Sequence, residues 1–347
     1  MNSWAYPTLL ADVGGTQLRF AIAEREEAAP GLVRVLRTAE HRSLTEAALV
    51  YLTEVGRGVP PAAGLAVPAT AAFAVATPVE AARRGPVRLT NTDFRIDGAE
   101  LIRHLDLSAL WIVNDFEALA WSLPTLSAEE LEPIGSTVPS FDSTMAVIGP
   151  GTGLGCAGLL RDASGWHAIP GEGGHATLSA RTGFERDVLA AAADQMDHVS
   201  AEKLLSGIGM PLLYRAVATV RGDAAASAPL PDPRDITARA LAGSDRLCLE
   251  VVETFFALLG GYAGNVALTY GATGGVLIGG GIAEHVPGLL ARSPFRNRFE
   301  DKGRFRSYLG AIGTARIMRA QPALDGLAYA LRAARSGLPV QRAVAAD

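Results

Sequence analysis

Thr8-Leu9-Leu10-Ala11-Asp12-Val13-Gly14-Gly15-Thr16-Gln17-Leu18-Arg19-Phe20-Ala21-Ile22-Ala23 reads as an apolar strand, a glycine turn and a second apolar strand. A stretch of the same kind recurs about 136 residues later: strand Met145–Ile148, turn Gly149-Pro150-Gly151-Thr152-Gly153, strand Cys156–Leu160. Two such hairpins opening two halves of one chain imply two related α/β domains facing each other over a cleft. In both turns glycines let backbone N–H groups converge on anionic oxygens, because no Cβ blocks the approach, and a threonine adds a hydroxyl donor. Asp12 is placed to hold a metal-bound water, whereas the matching position in the second half is Ile148. Either loop taken singly is also explained as a plain hairpin turn. Together they fit two loops clamping one polyphosphate. The second is neither a Walker A loop, since no Lys follows, nor a dinucleotide fingerprint, since a strand rather than a helix follows.

A chain of 347 residues suits two domains of ordinary size, and 49% hydrophobic with 19% charged residues makes it globular. The net charge of −5, with no Lys/Arg run, argues against a nucleic-acid partner. Two cysteines, Cys156 and Cys248, exclude a disulfide framework and a Cys-rich zinc site. The opening MNSWAYPTLLADVGG lacks the basic-then-apolar pattern of a leader, so a soluble cytoplasmic protein is expected. The uncharged stretch Thr254–Ala283 is long enough to span a bilayer, but it holds nine glycines. Cys248, Val251, Val252, Phe255, Leu258, Leu259, Tyr262 and Val266 keep helical spacing from Arg246 onward. The expectation is a buried helix to about Tyr270, a stop at Gly271 and a strand at Val276–Ile278.

Elsewhere, Leu32–Leu36 is a third apolar run, and Ser43-Leu44-Thr45-Glu46 is a capping box with Glu46 reaching back to the cap amide. Strands are expected near Ala63–Val67 and Val87–Leu89, a helix near Ala99–Leu105 and a strand at Ala109–Val113. Thr77–Pro86 reads as an exposed loop. Asp235 is expected to cap Ile236–Leu241, and a last helix, about Ala323–Ala334, precedes a fraying tail, Ser336–Asp347.

Further motifs carry chemistry. Asn114-Asp115 ends the strand Ala109–Val113, where an Asp serves equally as a general base or as a helix N-cap. Gly274-Gly275-Val276-Leu277-Ile278-Gly279-Gly280-Gly281 is a strand entering a triple-glycine turn, open to a flat ring or to close packing. Pro170-Gly171-Glu172-Gly173-Gly174-His175 sets a carboxylate and an imidazole three residues apart, free to bond hydroxyls. A metal site is the rival there, with no further His or Cys cluster to complete it. Glu202 falls in the first turn of a helix, where a carboxylate also has a purely structural use.

These residues, with Leu89-Thr90-Asn91, Ile112-Val113-Asn114-Asp115-Phe116, His198-Val199-Ser200-Ala201-Glu202, Ser206-Gly207 and Phe299-Glu300-Asp301-Lys302-Gly303-Arg304-Phe305, occur in an order that closely resembles bacterial ATP-dependent glucokinases of the non-ROK type, from about Leu9 to Arg332. The resemblance implies the two-domain actin/hexokinase-like (ribonuclease H-like) α/β fold with an interdomain cleft. A small domain of residues 1–124 plus about 319–347 would accompany a large one of 125–318. It implies Asp115 as the base for the glucose 6-hydroxyl, with Asn114 on a neighbouring hydroxyl and Asn91 assisting. Glu172, His175 and Glu202 would bind the other ring hydroxyls. Ala11, Asp12, Val13, Gly14, Gly15 and Thr16, with Gly149, Gly151, Thr152 and Gly153, would hold the phosphates of Mg-ATP, and Gly279, Gly280 and Gly281 would lie near the nucleoside. No side chain would bind Mg²⁺ directly: the ion comes with ATP, and Asp12 reaches it through water. A homodimer is expected. Gln17, Pro150 and Phe94 depart from the family's usual Asn, Ala and Trp. The zinc motif of ROK kinases is missing, and with the first phosphate loop starting at residue 12 the DNA-binding domain of ROK repressors is not expected. A kinase for another hexose, or a non-catalytic sugar-sensing protein on the same fold, are the alternatives.

Overall fold

The computed structural model describes residues 4–58, 62, 64–76, 85–89, 93–286, 288–333 and 341–342. It divides into two compact units, one of Met1–Leu126, Ser164–His167 and Arg319–Asp347, the other of Ser127–Ala163 and Ala168–Met318. Strands in the first are β1 (Thr8–Val13), β2 (Gln17–Ala23), β3 (Gly31–Arg37), β4 (Thr70–Val75), the short pair β5 (Val87–Arg88) and β6 (Arg95–Ile96), and β7 (Ala109–Asn114). β8 (Leu131–Pro133), β9 (Met145–Pro150), β10 (Leu154–Asp162), β11 (Gly165–Gly171), β12 (Gly275–Ile278) and β13 (Thr314–Ile317) follow, and β14 (Gln341–Arg342) returns to the first sheet.

The two sheets repeat one topology. The first has the order β14-β7-β4-β1-β2-β3, the second β11-β10-β9-β12-β13-β8. In each, an antiparallel hairpin (β1–β2; β9–β10) is extended on its first strand by two parallel strands (β4 and β7; β12 and β13). The repetition seen in the glycine hairpins is thus a repetition of whole sheets.

Parallel strands at a sheet centre are covered on both faces and carry continuous rather than alternating apolar residues. β4, β9 and β12 are buried at every position. β4 is Thr-Ala-Ala-Phe-Ala-Val, poor in β-branched residues, and it pairs with β1 on one side and β7 on the other. Those two partners, not local preference, make it a strand. The strand expected at Ala63–Val67 is not there: residues 64–67 are turn and coil, and Leu65 is exposed.

Helix ends also correct the reading in places. Asp232, not Asp235, caps the helix Pro233–Ala242, accepting from the Arg234 amide at 2.8 Å and leaving proline at the first helical position. Ser43 caps Leu44–Glu54, but Glu46 takes the amide of Arg42, one residue before the cap, at 2.7 Å. Most of the Thr77–Pro86 loop (77–84) lies outside the described residues. In the tail, Gln341 and Arg342 are strand residues paired with Leu110 and Ala109, so fraying does not extend to them.

The helix Arg246–Tyr270 runs as expected, from Asp245, which accepts from the Cys248 amide at 3.1 Å, to Gly271 in the left-handed region (φ +61°). It is long and apolar enough to cross a membrane, and it forms the spine of the second unit's core with Val251, Phe255, Phe256, Leu259 and Ala263 fully buried. The helix Phe295–Glu300 lies across it so closely that a Cβ on Gly260 would overlap the Phe295 carbonyl, whereas one on Gly261 would meet only Arg298 Nη2, at 3.7 Å. The neighbours should therefore respond with opposite sign. Gly261→Ala should raise the urea midpoint by the equivalent of about 0.5–1 kcal/mol, the helix-propensity gain. Gly260→Ala should lower it by about 1–3 kcal/mol through overpacking.

Candidate active site

In the first unit the β1–β2 turn is a tight, braced structure. Gly14 N–H donates to Gln17 O at 3.0 Å; the buried Thr38 donates its N–H to Thr16 O (3.1 Å) and its hydroxyl to Gly14 O (2.8 Å). Gly15, Thr16 and Gln17 are left exposed at the tip, and a Cβ on Gly15 would have open space around it. Asp12 sits behind the turn in an ion pair with Arg19 at 3.0 Å; burial raises its carboxyl above the ordinary range, and Arg19 opposes that shift. Ala11 and Val13 are fully buried in the core, so only their backbone remains for a ligand.

At the end of β7 the two candidate residues have separate jobs. Asn114 is the N-cap of the helix Asp115–Ser122: its Oδ1 accepts from Phe116 N at 2.9 Å and from Glu117 N at 3.3 Å. The cap reading of Asp115 is thereby corrected. Asp115 opens the first helical turn, with its Oδ1 accepting from Phe116 N at 2.9 Å. Asn91 lies outside the described residues.

In the second unit the loop after β9 is pinned from several sides. Gly151 N–H donates to Gly153 O (2.9 Å), and Gly207 N–H donates to Gly151 O (2.7 Å), which gives the Ser206-Gly207 motif a physical role. Gly279 N–H donates to Ile148 O at 2.8 Å, and Gly280, at φ +85°, lies 2.6 Å, measured from its missing Cβ, from Pro150 O. The triple-glycine turn therefore rests against the base of the second glycine loop.

Glu172, His175 and Glu202 are brought together. Leu178 N–H bonds Val199 O at 3.0 Å and Ala201 N–H bonds Ala176 O at 2.9 Å, which joins the two segments that carry them. His175 then stands between two carboxylates, with Nε2 3.9 Å from Glu172 Oε2 and Nδ1 3.8 Å from Glu202 Oε1. Neither distance is a hydrogen bond, so these groups are not spent on one another. Glu202 lies in the first turn of Ala201–Leu204, capped by Ser200 Oγ accepting from Lys203 N (3.3 Å), and its Oε2 accepts from Leu154 N at 2.9 Å.

Sequence reasoning missed that last bond, and missed a tyrosine pair, Tyr262 buried and Tyr270 half-buried, beside the Cys156 thiol. Tyr262 and Tyr270 flank the Cys156 thiol; burial raises all three groups, Tyr270 to about 12. A Cβ on Gly173 would come within 2.9 Å of Tyr262 Oη. Helical spacing marks Tyr262 as a core residue only, and Tyr270 enters that reading just as the helix end.

The duplicated sheet, with a glycine hairpin in each half, is the actin/hexokinase-like fold. The model of the glucokinase family matches residues 9–334. The chain is 44% identical to the glucokinase of Aromatoleum aromaticum over 96% of either chain. It is 43% identical to that of Chromobacterium violaceum, over 93% of this chain and 89% of that one. A crystal structure of glucokinase from an Antarctic psychrotroph superposes with a TM-score of 0.81 at 33% identity, covering 93% of this chain and 98% of that one. The chain belongs to the glucokinase family.

The division of labour at β7 is testable by stability alone. Asn114→Ala should cost about 1 kcal/mol, the loss of a helix cap. Asp115→Asn should cost no more than about 0.5 kcal/mol, a small dipole effect. Urea unfolding of both variants checks the ranking.

Proposed function

We propose that this enzyme transfers the γ-phosphoryl group of ATP to the 6-hydroxyl of D-glucose, giving glucose 6-phosphate and ADP. The observation that carries the reading is the convergence of Glu172, His175 and Glu202 in a chain of this family. Two carboxylate acceptors and an imidazole match a ring edge of free hydroxyls, each of which donates one hydrogen bond and accepts others. Asn114 spends Oδ1 on the helix, leaving its amide nitrogen to donate to a sugar oxygen.

Asp115 accepts the 6-hydroxyl proton as that oxygen bonds the γ-phosphorus and the bond to the ADP oxygen breaks. At the loop tips the backbone N–H groups of Gly15, Thr16, Thr152 and Gly153, with the hydroxyls of Thr16 and Thr152, serve the phosphates, while Gly151 N–H is spent on Gly153 O. Asp12 fits a hydrated Mg²⁺ carried by the nucleotide, since only Oδ2 is spent on Arg19 and a carboxylate oxygen suits a magnesium-bound water. Mg²⁺, when bound, neutralises charge on the phosphates. The same reading makes the enzyme a cytoplasmic homodimer with no nucleic-acid or membrane partner.

Asp115→Asn should lower kcat at least ~100-fold, the loss expected of a general base, with glucose affinity nearly retained. Glu172→Ala should instead raise the glucose KM ~10-fold or more while ATP affinity holds, since a hydrogen-bonding site loses its acceptor. An ATP-coupled assay with separate titration of each substrate checks both. Near-normal turnover of Asp115→Asn would remove that residue from the chemistry.

A further inference from the structure

The two oxygens of Glu202 face different ligands. Oε1 is turned to His175, at a distance too long for a direct bond, and so keeps its capacity for a hydroxyl. Oε2 accepts from the amide of Leu154, the residue that closes the second glycine loop. The site is shaped around this contact, because a Cβ on Gly153 would overlap the Glu202 carboxylate. Besides the β9–β10 ladder, three bonds among the described residues hold the loop tip from Gly151 to Leu154: Gly151 N–H to Gly153 O, Gly207 N–H to Gly151 O, and Leu154 N–H to Glu202. Only the third involves a side chain that can turn.

We infer that Glu202 couples the sugar site to the phosphate loop: it is a positioning residue for the nucleotide as well as a ligand for the sugar, so each ligand presets the loop for the other. This rests on the glucose and ATP reading above. A hydroxyl bound at Oε1 fixes the carboxylate in the rotamer that holds Leu154. A phosphate bound at the loop fixes Leu154, and with it the carboxylate. Such a link is reciprocal by thermodynamic necessity. A Gly at position 153 is then required by the sugar residue, and not by the phosphate alone.

The test crosses the ligands. Glucose binding is measured calorimetrically without nucleotide, for wild type, Gly151→Ala and Gly153→Ala. Gly153→Ala displaces Glu202 and should weaken glucose at least ~10-fold, within the usual span of coupling effects, while Gly151→Ala, whose Cβ meets open space, should stay within ~2-fold. Mg-ADP binding is measured without sugar for Glu202→Ala and Glu202→Gln. Glu202→Ala should weaken Mg-ADP about 5-fold or more, and Glu202→Gln, whose amide oxygen still accepts from Leu154, should recover most of that loss. Unchanged glucose binding in Gly153→Ala, or unchanged or tighter Mg-ADP binding in Glu202→Ala, overturns the inference. If Gly153→Ala loses its thermal transition, the Mg-ADP arm decides alone. Wild-type protein that fails to bind glucose refutes the functional reading itself, an outcome distinct from loss of the coupling.

Discussion

Within each unit the candidate residues depend on backbones that approach each other with no side chain between them. The helix that begins at Asp115 is held by the helix Pro322–Ala333, and a Cβ on Gly326 would overlap the carbonyl of Ala118 one turn into the Asp115 helix. The Gly260–Phe295 crossing does the same for the spine of the second unit, and Gly280 against Pro150 seats the triple-glycine turn on the second loop. Interiors are packed at crystal-like density, so a contact of this kind transmits even a methyl group as a shift of the whole element. This is what the glycine excess of the chain is spent on: it sets where helices and turns lie, and thereby where carboxylates end up.

Charge is distributed to match. In the second unit, Arg298 makes a two-pronged bond to Glu185 (3.0 and 2.8 Å) and reaches Asp301, which also takes Arg181 (3.1 Å) and Arg306 (3.0 Å). Lys302 donates to Gly261 O and Asn265 Oδ1, and burial first, then Arg298, pushes its amine below the ordinary lysine range. The Phe299–Phe305 motif is therefore a brace between helices, with every buried charge partnered as burial demands. By contrast the side chains of Glu172 and His175 are 68% and 62% exposed, which keeps them available to a ligand. Phosphoryl transfer asks for positioning and electrostatics rather than covalent work by the protein, and a rigid frame carrying a few open polar groups supplies that.

Much of this was legible in the chain. The glycine hairpins announced the duplicated sheets, and the spacing of apolar residues gave Arg246–Tyr270 together with its Gly271 stop. What escaped was set by partners distant in sequence. Thr70–Val75 is alanine-rich and is a strand only because β1 and β7 enclose it, while the apolar residues 64–67 that resemble a strand have no such neighbours. Competing caps are equally opaque: Asn114 and Asp115, or Asp232 and Asp235, are alike in type, and only the backbone angle at each position selects one. The candidate site residues stand out in the sequence as motifs. The Leu154–Glu202 bond does not, since 48 residues separate its ends and neither residue type signals the other.

The most direct test of the account is the sugar selectivity of the wild-type enzyme. A site in which Glu172, His175 and Glu202 converge should prefer a ring edge of free hydroxyls, because an N-acetyl group sets bulk and a carbonyl against carboxylate oxygens. The measurement is kcat/KM with ATP for glucose, 2-deoxyglucose and N-acetylglucosamine. The account predicts glucose favoured over N-acetylglucosamine by as much as ~10⁴-fold, the scale on which a hydrogen-bonding site rejects a mismatched group, with 2-deoxyglucose in between. Comparable values for glucose and N-acetylglucosamine would contradict it.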